Sequence, residues 1–556
     1  MAEFGIDLGT TTTLIALARQ GKDPQTIEAE VQKLKQPDDG RELNHLPSVA
    51  FIPETGKPVV GLWAKERGPH QDAARCVRAV KRLMGRDLFL ERIGQTPFEV
   101  SALYLEEVLR QMLDKGYSLD DELTVTVPAS YTTNQRRDTL RAIDLAFDGL
   151  GQPRPSGEQR GRLLISEPVA AMLAFIARDM RKALSSREID VDARPKVLVY
   201  DIGGGTLDLT IVELAWRDPH GSRSLDNLLF NVLAISRLNL FGGEDFDFKL
   251  ASEFLHPRLL TKFPGLEKLE LDAKERLALR YDLINEAERL KIELSEELEF
   301  GEDAIHFVTK PLLIRGQEYP FAVDLDRQQY KALMASFLDE REGAKNALGP
   351  ITELLDESGI ARKDIHYFLP VGGMARLLPL QKALARYWKE DGSFLKFQVR
   401  DEAIVQGAAV YSYLKSTQQG FKIEEPAADA YYVRLDKGFD LLLRRKQRNS
   451  GRHEYLLENK SSKLLLQIFA GGVPQGDAAL KSIYHTLVYQ GGTAIPLGKP
   501  HEKGTPVIIE MERRDDTKVP VVSIWVGKGD SPEFVQEINF EQLESEQEEA
   551  RYAESL

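Results

Sequence analysis

Short apolar runs that end in an acid and a glycine recur along the chain. Residues 197–200 read as a buried strand. Asp201 follows at once, then Gly203, Gly204, Gly205, Thr206 and Asp208, and a second apolar run over 209–214 leads away. Near the start of the chain, residues 4–6 lead into Asp7, Gly9, Thr10 and Thr11, and an apolar run over 14–18 follows. A third run, 365–371, ends in Gly372 and Gly373, with Arg376 just beyond. Glycine lets the backbone take positive φ and approach a ligand closely, and successive N–H groups form an anion-binding nest. The flanking acids repel phosphate, but they can hold a divalent cation and its waters. Two copies of strand, acid, glycine, hydroxyl and strand predict a duplicated fold with phosphate held between its halves. At the third turn a planar base can lie on glycine backbone, with Arg376 stacked on its face.

Between these turns the pattern predicts helices. Residues 97–116 place Leu105, Val108, Leu109 and Met112 on one face. Thr133 caps a helix with Gln135, Arg136 and Arg137 outward and Leu140, Ile143 and Phe147 inward. Residues 79–86 read as a helix end stopped by Gly85, with Cys76 in a helix just before it as core filler. Lys81 in that stretch is either a charge directed inward or a snorkelling surface lysine. Glu167 sits between a strand and a helix whose first turn holds Pro168, where α/β folds place ligands; a carboxylate serving the helix dipole explains it equally. Glu288, Lys291 and Ser295 share one helix face, either as a solvated stripe or as a polar grip on a nucleoside.

The 556 residues allow about two to four domains. A net charge of −14 argues against nucleic acid or an acidic membrane as the main partner. The basic run at 444–448 is read as a solvated turn. The single cysteine excludes an internal disulfide and a cysteine zinc site. Neither a leader nor an apolar run of membrane-spanning length is found, so a cytoplasmic location is expected.

The ordered motifs resemble the ATPase domain of the 70-kDa heat-shock (DnaK-like) chaperones. They are IDLGTT (6–11), AVKRLMGR (79–86), TVPASYTTNQRRDT (126–139), ISEPVAAMLAF (165–175), VYDIGGGTLDLTIVE (199–213), FGGEDFD (241–247), ERLKIELS (288–295), VGGMAR (371–376) and DEAIVQGAAV (401–410). The resemblance implies an α/β actin-like, hexokinase-type duplicated ATPase over 1–415. Lobe I would hold about 1–195 plus 400–415, and lobe II about 196–399.

It also implies ATP or ADP with Mg2+, and K+ as a further candidate ion. Asp7 and Asp201 would hold the hydrated metal. Gly9, Thr10, Thr11 and the amides of Gly203, Gly204 and Gly205 would bind phosphate. Lys81 would position the attacking water, Glu167 and Asp208 would orient water and metal, and Thr206 would meet the γ-phosphate. Glu288, Lys291, Ile292, Ser295, Gly372, Gly373 and Arg376 would hold ribose and adenine, with Gly242, Gly243 and Asp401 completing the nucleotide site.

Past a linker at 416–430, which lacks the family's leucine-rich acidic run, the pattern turns β-rich. Strands are expected over 430–435, 439–444, 464–469, 483–489, 506–511 and 519–526, with turns at Gly471-Gly472 and Gly491-Gly492. These predict a sandwich of about six to eight strands over 431–540, then an acidic tail at 541–556 and no helical lid. The expected partner is a polypeptide client or one specific protein; the resemblance makes a J-protein or nucleotide-exchange factor a further candidate, although Leu163 and Ser166 stand where the family has residues used by J-proteins, which argues against classical J-protein stimulation. The function that follows is a lid-less, divergent, bacterial-type chaperone coupling ATP hydrolysis to polypeptide binding. The alternative is a slowly hydrolysing scaffold that docks one folded partner.

Overall fold

The computed structural model describes residues 3–21, 27–86, 88–119, 122–185, 190–221, 223, 227–236, 240–299, 304–338, 346–388, 393–394, 402–417, 423, 430–435, 438–443, 449–471, 488–513, 520–527 and 532–539. Asp401, the basic run at 444–448, most of the expected linker, most of the expected strand at 483–489 and the tail at 541–556 lie outside the described residues. The chain separates into two compact units. The first holds Met1–Ser130, Arg141–Pro155 and Leu164–Ile423; the second holds Tyr131–Leu140, Ser156–Leu163 and Glu424–Leu556.

The first unit contains one topology built twice. In the first sheet, β1 (Glu3–Leu8) pairs antiparallel with β2 (Thr12–Gln20), which pairs with β3 (Ile27–Val31). On its other side β1 runs parallel to β4 (Leu123–Val127), and β4 runs parallel to β5 (Leu164–Ser166). The second sheet repeats this with β6 (Lys196–Ile202), β7 (Leu207–Trp216) and β8 (Leu228–Ile235) antiparallel, then β9 (Tyr367–Val371) and β10 (Ser393–Phe394) parallel beyond β6. The expected duplication is therefore present strand for strand. Both hairpins close with the same bond, Gly9 N–H to the Thr12 carbonyl at 3.0 Å and Gly203 N–H to the Thr206 carbonyl at 3.1 Å.

Two helices in corresponding places, α3 (Glu167–Ser185) and α7 (Ala403–Thr417), pack on each other, α3 against the second sheet and α7 against the first. α7 also packs its Val405 and Ala409 on Leu14, Ala16 and Ala18 of β2. These contacts are closest where glycine removes a side chain. A Cβ at Gly5 of β1 would lie 2.1 Å from the Ala409 nitrogen, and one at Gly407 would lie 1.7 Å from the Ala170 oxygen. On its far face the second sheet packs against α4 (Gly243–Lys249), α5 (Ala273–Glu299) and α6 (Leu378–Trp388).

α1 (Pro97–Asp114) forms as expected, with Leu105, Val108, Leu109 and Met112 buried. A reciprocal cap between Thr96 and Glu99 starts it. Other expectations change. Cys76 is buried not in a helix but in a three-residue strand, Cys76–Arg78, paired with Val49–Phe51; so short a run carries no period to read. In α2 (Thr133–Gly149), Gln135, Arg136 and Arg137 are buried rather than outward. They fall in the segment Tyr131–Leu140, which belongs to the second unit, where the Thr133 hydroxyl bonds the Tyr431 hydroxyl.

Besides Tyr131–Leu140 and a short helix at Gly157–Gly161, the described residues of the second unit form two four-stranded antiparallel sheets. One orders β12 (Gly438–Leu443), β11 (Ala430–Leu435), β14 (Ser461–Gly471) and β15 (Val488–His501); the other orders β13 (Asn449–Leu456), β16 (Pro506–Arg513), β17 (Pro520–Val526) and β18 (Glu533–Asn539). Tyr431, Leu466, Ile468 and Ile495 of the first sheet share one core with Ile509, Met511, Val522 and Ile524 of the second, so the sheets form a sandwich. Gly491 and Gly492 lie inside β15, paired with Ile468 and Gln467, and are not a turn. β13 and β18 were not anticipated.

Candidate functional site

The two glycine turns meet. A Cβ at Gly204 would strike the Thr11 side chain at 2.4 Å, and one at Gly205 the Thr10 side chain at 2.5 Å. Only glycine lets the turns come this close. Between and beneath them a cavity of about 300 Å³ is lined by Asp7, Gly9, Thr10, Thr11, Lys81, Glu167, Asp201, Gly203, Gly204, Gly205 and Thr206. Its other wall is Gly243, Glu288, Lys291, Ile292, Ser295, Gly372, Gly373 and Arg376. Gly242 and Asp208 stand just behind this lining. Gly242 packs on the Gly204 backbone, and its N–H donates to the Asp245 carboxylate at 2.9 Å.

Pleating explains where the acids fall. Asp7 and Asp201 occupy the same place at the ends of β1 and β6. Opposite Asp7 is Leu14, whereas opposite Asp201 is Asp208. Like charges directly across a strand pair repel, so the second copy concentrates negative charge. Glu167 joins them from the start of α3. A cation enters among them: the Lys81 ammonium donates to the Glu167 carboxylate at 2.5 Å. Lys81 is therefore turned inward, the first of its two sequence readings. It sits on a 3-10 turn, Val80–Leu83, that starts from Ala79 at φ 52°. An L-residue takes this left-handed conformation at a cost of about 1 kcal/mol.

Four buried carboxylates around one lysine shift together. Burial raises Asp7, with the Lys81 charge and the Thr126 hydroxyl bond at 2.7 Å only partly opposing it. Burial pushes Glu167 up to about 7. Asp201 goes well above its usual value through burial and the Glu167, Asp208 and Asp7 charges. Asp208 is raised by burial against its bonds from Ser130 and Thr206. Burial works to discharge Lys81, but Glu167 and Asp7 outweigh it and hold the ammonium above its ordinary value. Ionising all four would place more negative charge here than the one ammonium balances. Among the described residues no group of three or more His, Cys, Asp or Glu side chains is set to chelate a metal directly. The arrangement fits a cation that keeps its water shell.

A stability prediction follows. A carboxyl whose folded pKa is raised stabilises the fold most below its unfolded pKa of about 4.3, and the contribution is lost as pH rises through the folded value, for Glu167 about 7. Glu167→Gln removes this titration. The thermal midpoint of the nucleotide-free variant, relative to the parent, is expected to be higher at pH 7.5 than at pH 5. A gap that stays constant or shrinks would count against the charge cluster.

The opposite wall is held by ion pairs. Lys291 meets Asp247 at 2.7 Å, and Ser295 donates to the Lys291 carbonyl at 3.0 Å. Glu288 meets Lys65 at 2.6 Å; burial opposes its ionisation, yet Lys65, Lys291 and Arg78 hold it down at about 2. Further links join the stretch around 65–82 to α5 and α4: Arg78 to Asn285 at 2.7 Å, His70 to Asp282 at 3.1 Å, and Arg82 to Asp245 at 2.5 Å. Arg82 also donates to the Gly205 carbonyl at 2.9 Å. Sequence reasoning did not find Lys65, Arg78, Arg82, Asp245 or Asp247. Arg82, Asp245 and Asp247 lay inside quoted motifs without a role, whereas Lys65 and Arg78 lay outside them.

Duplicated sheets whose two glycine turns share one acidic, lysine-bearing cleft, together with a separate β-sandwich unit, define the class: a two-unit α/β and β protein with a polar cleft in its first unit. The chain belongs to the Hsp70 family, since the family described as Hsp70 protein matches residues 91–436. It is 29% identical over 429 residues to the chaperone protein DnaK of Thermotoga neapolitana, an alignment spanning 75% of this chain and 60% of that protein. Among the described residues no helix is long and apolar enough to cross a membrane.

Proposed function

We propose that the first unit is a Mg2+-dependent ATPase and that its nucleotide state changes the affinity of the β-sandwich unit for polypeptide. The observation that carries this is the buried set Asp7, Lys81, Glu167, Asp201 and Asp208 beneath two touching glycine turns. Phosphoryl transfer to water asks the protein for positioning and charge compensation, and little covalent chemistry. In this reading Thr10, Thr11 and the turn amides hold the β- and γ-phosphates, with Thr206 at the γ end. Lys81 and Glu167, already bonded, align a water, and the Glu167 carboxylate takes up its proton. Asp7 and Asp201 hold the hydrated Mg2+, which neutralises phosphate charge when bound; K+ is a further candidate ion. Glu288, Lys291 and Ser295 meet the ribose, and adenine lies between Ile292, half exposed on α5, and Gly373 with Arg376. DnaK is named a chaperone protein, which supports a polypeptide as ligand of the sandwich and a J-protein or exchange factor as further partners.

The test is single-turnover hydrolysis of ATP by the full chain, with and without an unfolded peptide. Peptide is expected to change the rate several-fold. An unchanged rate with a stable ATP complex would replace coupling by a nucleotide-dependent scaffold that docks one folded protein.

A further inference from the structure

A second cavity, of about 690 Å³, opens in the first unit away from the glycine turns, between α4 with its continuation and α5. Its walls are built by local sequence. After α4 the helix widens into a π-turn over Leu250–Leu255, where the His256 N–H reaches back to the Ala251 carbonyl. Pro257 explains the widening, because it offers no N–H to the preceding turn and its ring crowds that turn's carbonyl. Ala251 and Ser252 of the π-turn line the cavity. The facing wall is fixed by Asp272 and Glu275, which cap each other's amides at 2.8 Å at the start of α5. Arg315 pins the same loop, bonding Glu275 at 2.7 Å and the Glu270 carbonyl at 2.8 Å.

The interior is aliphatic, with Leu260, Leu266, Leu279, Leu283 and Ile314. At the mouth, Arg276 and Arg280 stand one turn apart on α5. The Arg280 guanidinium lies 4.6 Å from the ring of Phe248, a phenylalanine left 43% exposed. Glu267, Glu270 and His256 also line the cavity, and the two arginines stand together on the α5 side. A preformed apolar cavity of about 300–1,000 Å³ with a few polar groups at one end is the usual form of a small-ligand site.

We propose that this cavity binds an amphiphilic carboxylate, a medium-chain alkyl acid whose tail lies among the leucines and whose head lies between Arg276 and Arg280. Binding of octanoate, nonanoate and decanoate to the full chain is measured by titration calorimetry below their micellar concentrations, beside decyltrimethylammonium. Affinity is expected to rise about fourfold per methylene, and the cationic amphiphile to bind at least tenfold more weakly than decanoate. The surface double variant Arg276→Ala/Arg280→Ala is expected to lose that preference, and Leu279→Trp, which fills the interior, to lose binding. Equal affinity for both head groups, an unaffected double variant, or decanoate binding that survives in a natively folded Leu279→Trp would each overturn the proposal, as would no binding of decanoate to the parent chain.

Discussion

Lys81→Ala is expected to slow single-turnover ATP hydrolysis by about 10²–10³-fold, the size seen when one preorganised charge-stabilising donor is removed from an active site. Lys81 is the ammonium that reaches the buried acids, bonded to Glu167 at 2.5 Å. Without it the water next to Glu167 loses its donor, and nothing of like charge replaces it. ATP affinity should change far less, because the turns, the threonines and the α5 wall remain. Lys81→Arg should not restore the rate, since a planar fork cannot occupy the place of a compact ammonium. A thermal midpoint near that of the parent, with nucleotide bound, would separate lost chemistry from lost folding. Hydrolysis equal to the parent in a folded Lys81→Ala would remove the lysine from the reaction.

Gly407→Ala is expected to be among the most destabilising single methyl additions available to this chain. The added Cβ would sit 1.7 Å from the Ala170 carbonyl oxygen. Both partners are helix backbone, in α7 and α3, so no flexible side chain can swing away. Overpacking of this kind costs about 3 kcal/mol, which lowers the midpoint of the first unit by a few degrees. Gly265→Ala is the control, because its Cβ would meet nothing within 4 Å. It should leave stability within about 0.5 kcal/mol. Equal effects from the two substitutions would show that α7 and α3 can part without cost.

What could be read from the sequence was what residue type alone decides. Glycines next to acids and hydroxyls mark a close backbone approach wherever the chain goes, so Gly204 and Gly205 were legible before any fold was known. Duplication was legible for the same reason, and the two sheets repeat even their closing hydrogen bond. Partners distant in sequence were not legible. Lys65 and Glu288 are separated by 223 positions, and nothing local in either predicts the other. Arg136 and Arg137 failed because an amphipathic pattern assumes one packed face, whereas buried arginines need a second surface that the helix itself does not announce. β13 and β18 were missed because NSGRHEYL and EFVQEIN carry too few apolar residues to show an alternation. The apolar spacing over Leu250–Leu255 likewise hides its π-turn, since periodicity counts residues and not hydrogen bonds.

The close seat of α7 on β1 has a consequence for synthesis. The first sheet begins at Glu3, yet Gly5 rests against Ala409. A nascent chain therefore exposes the apolar faces of β1 and β2 until some four hundred further residues have left the ribosome. The second sheet draws only on residues between Lys196 and Phe394, so it can close first. Within this unit folding therefore runs from the middle outward, and β1 is covered only once α7 has been made.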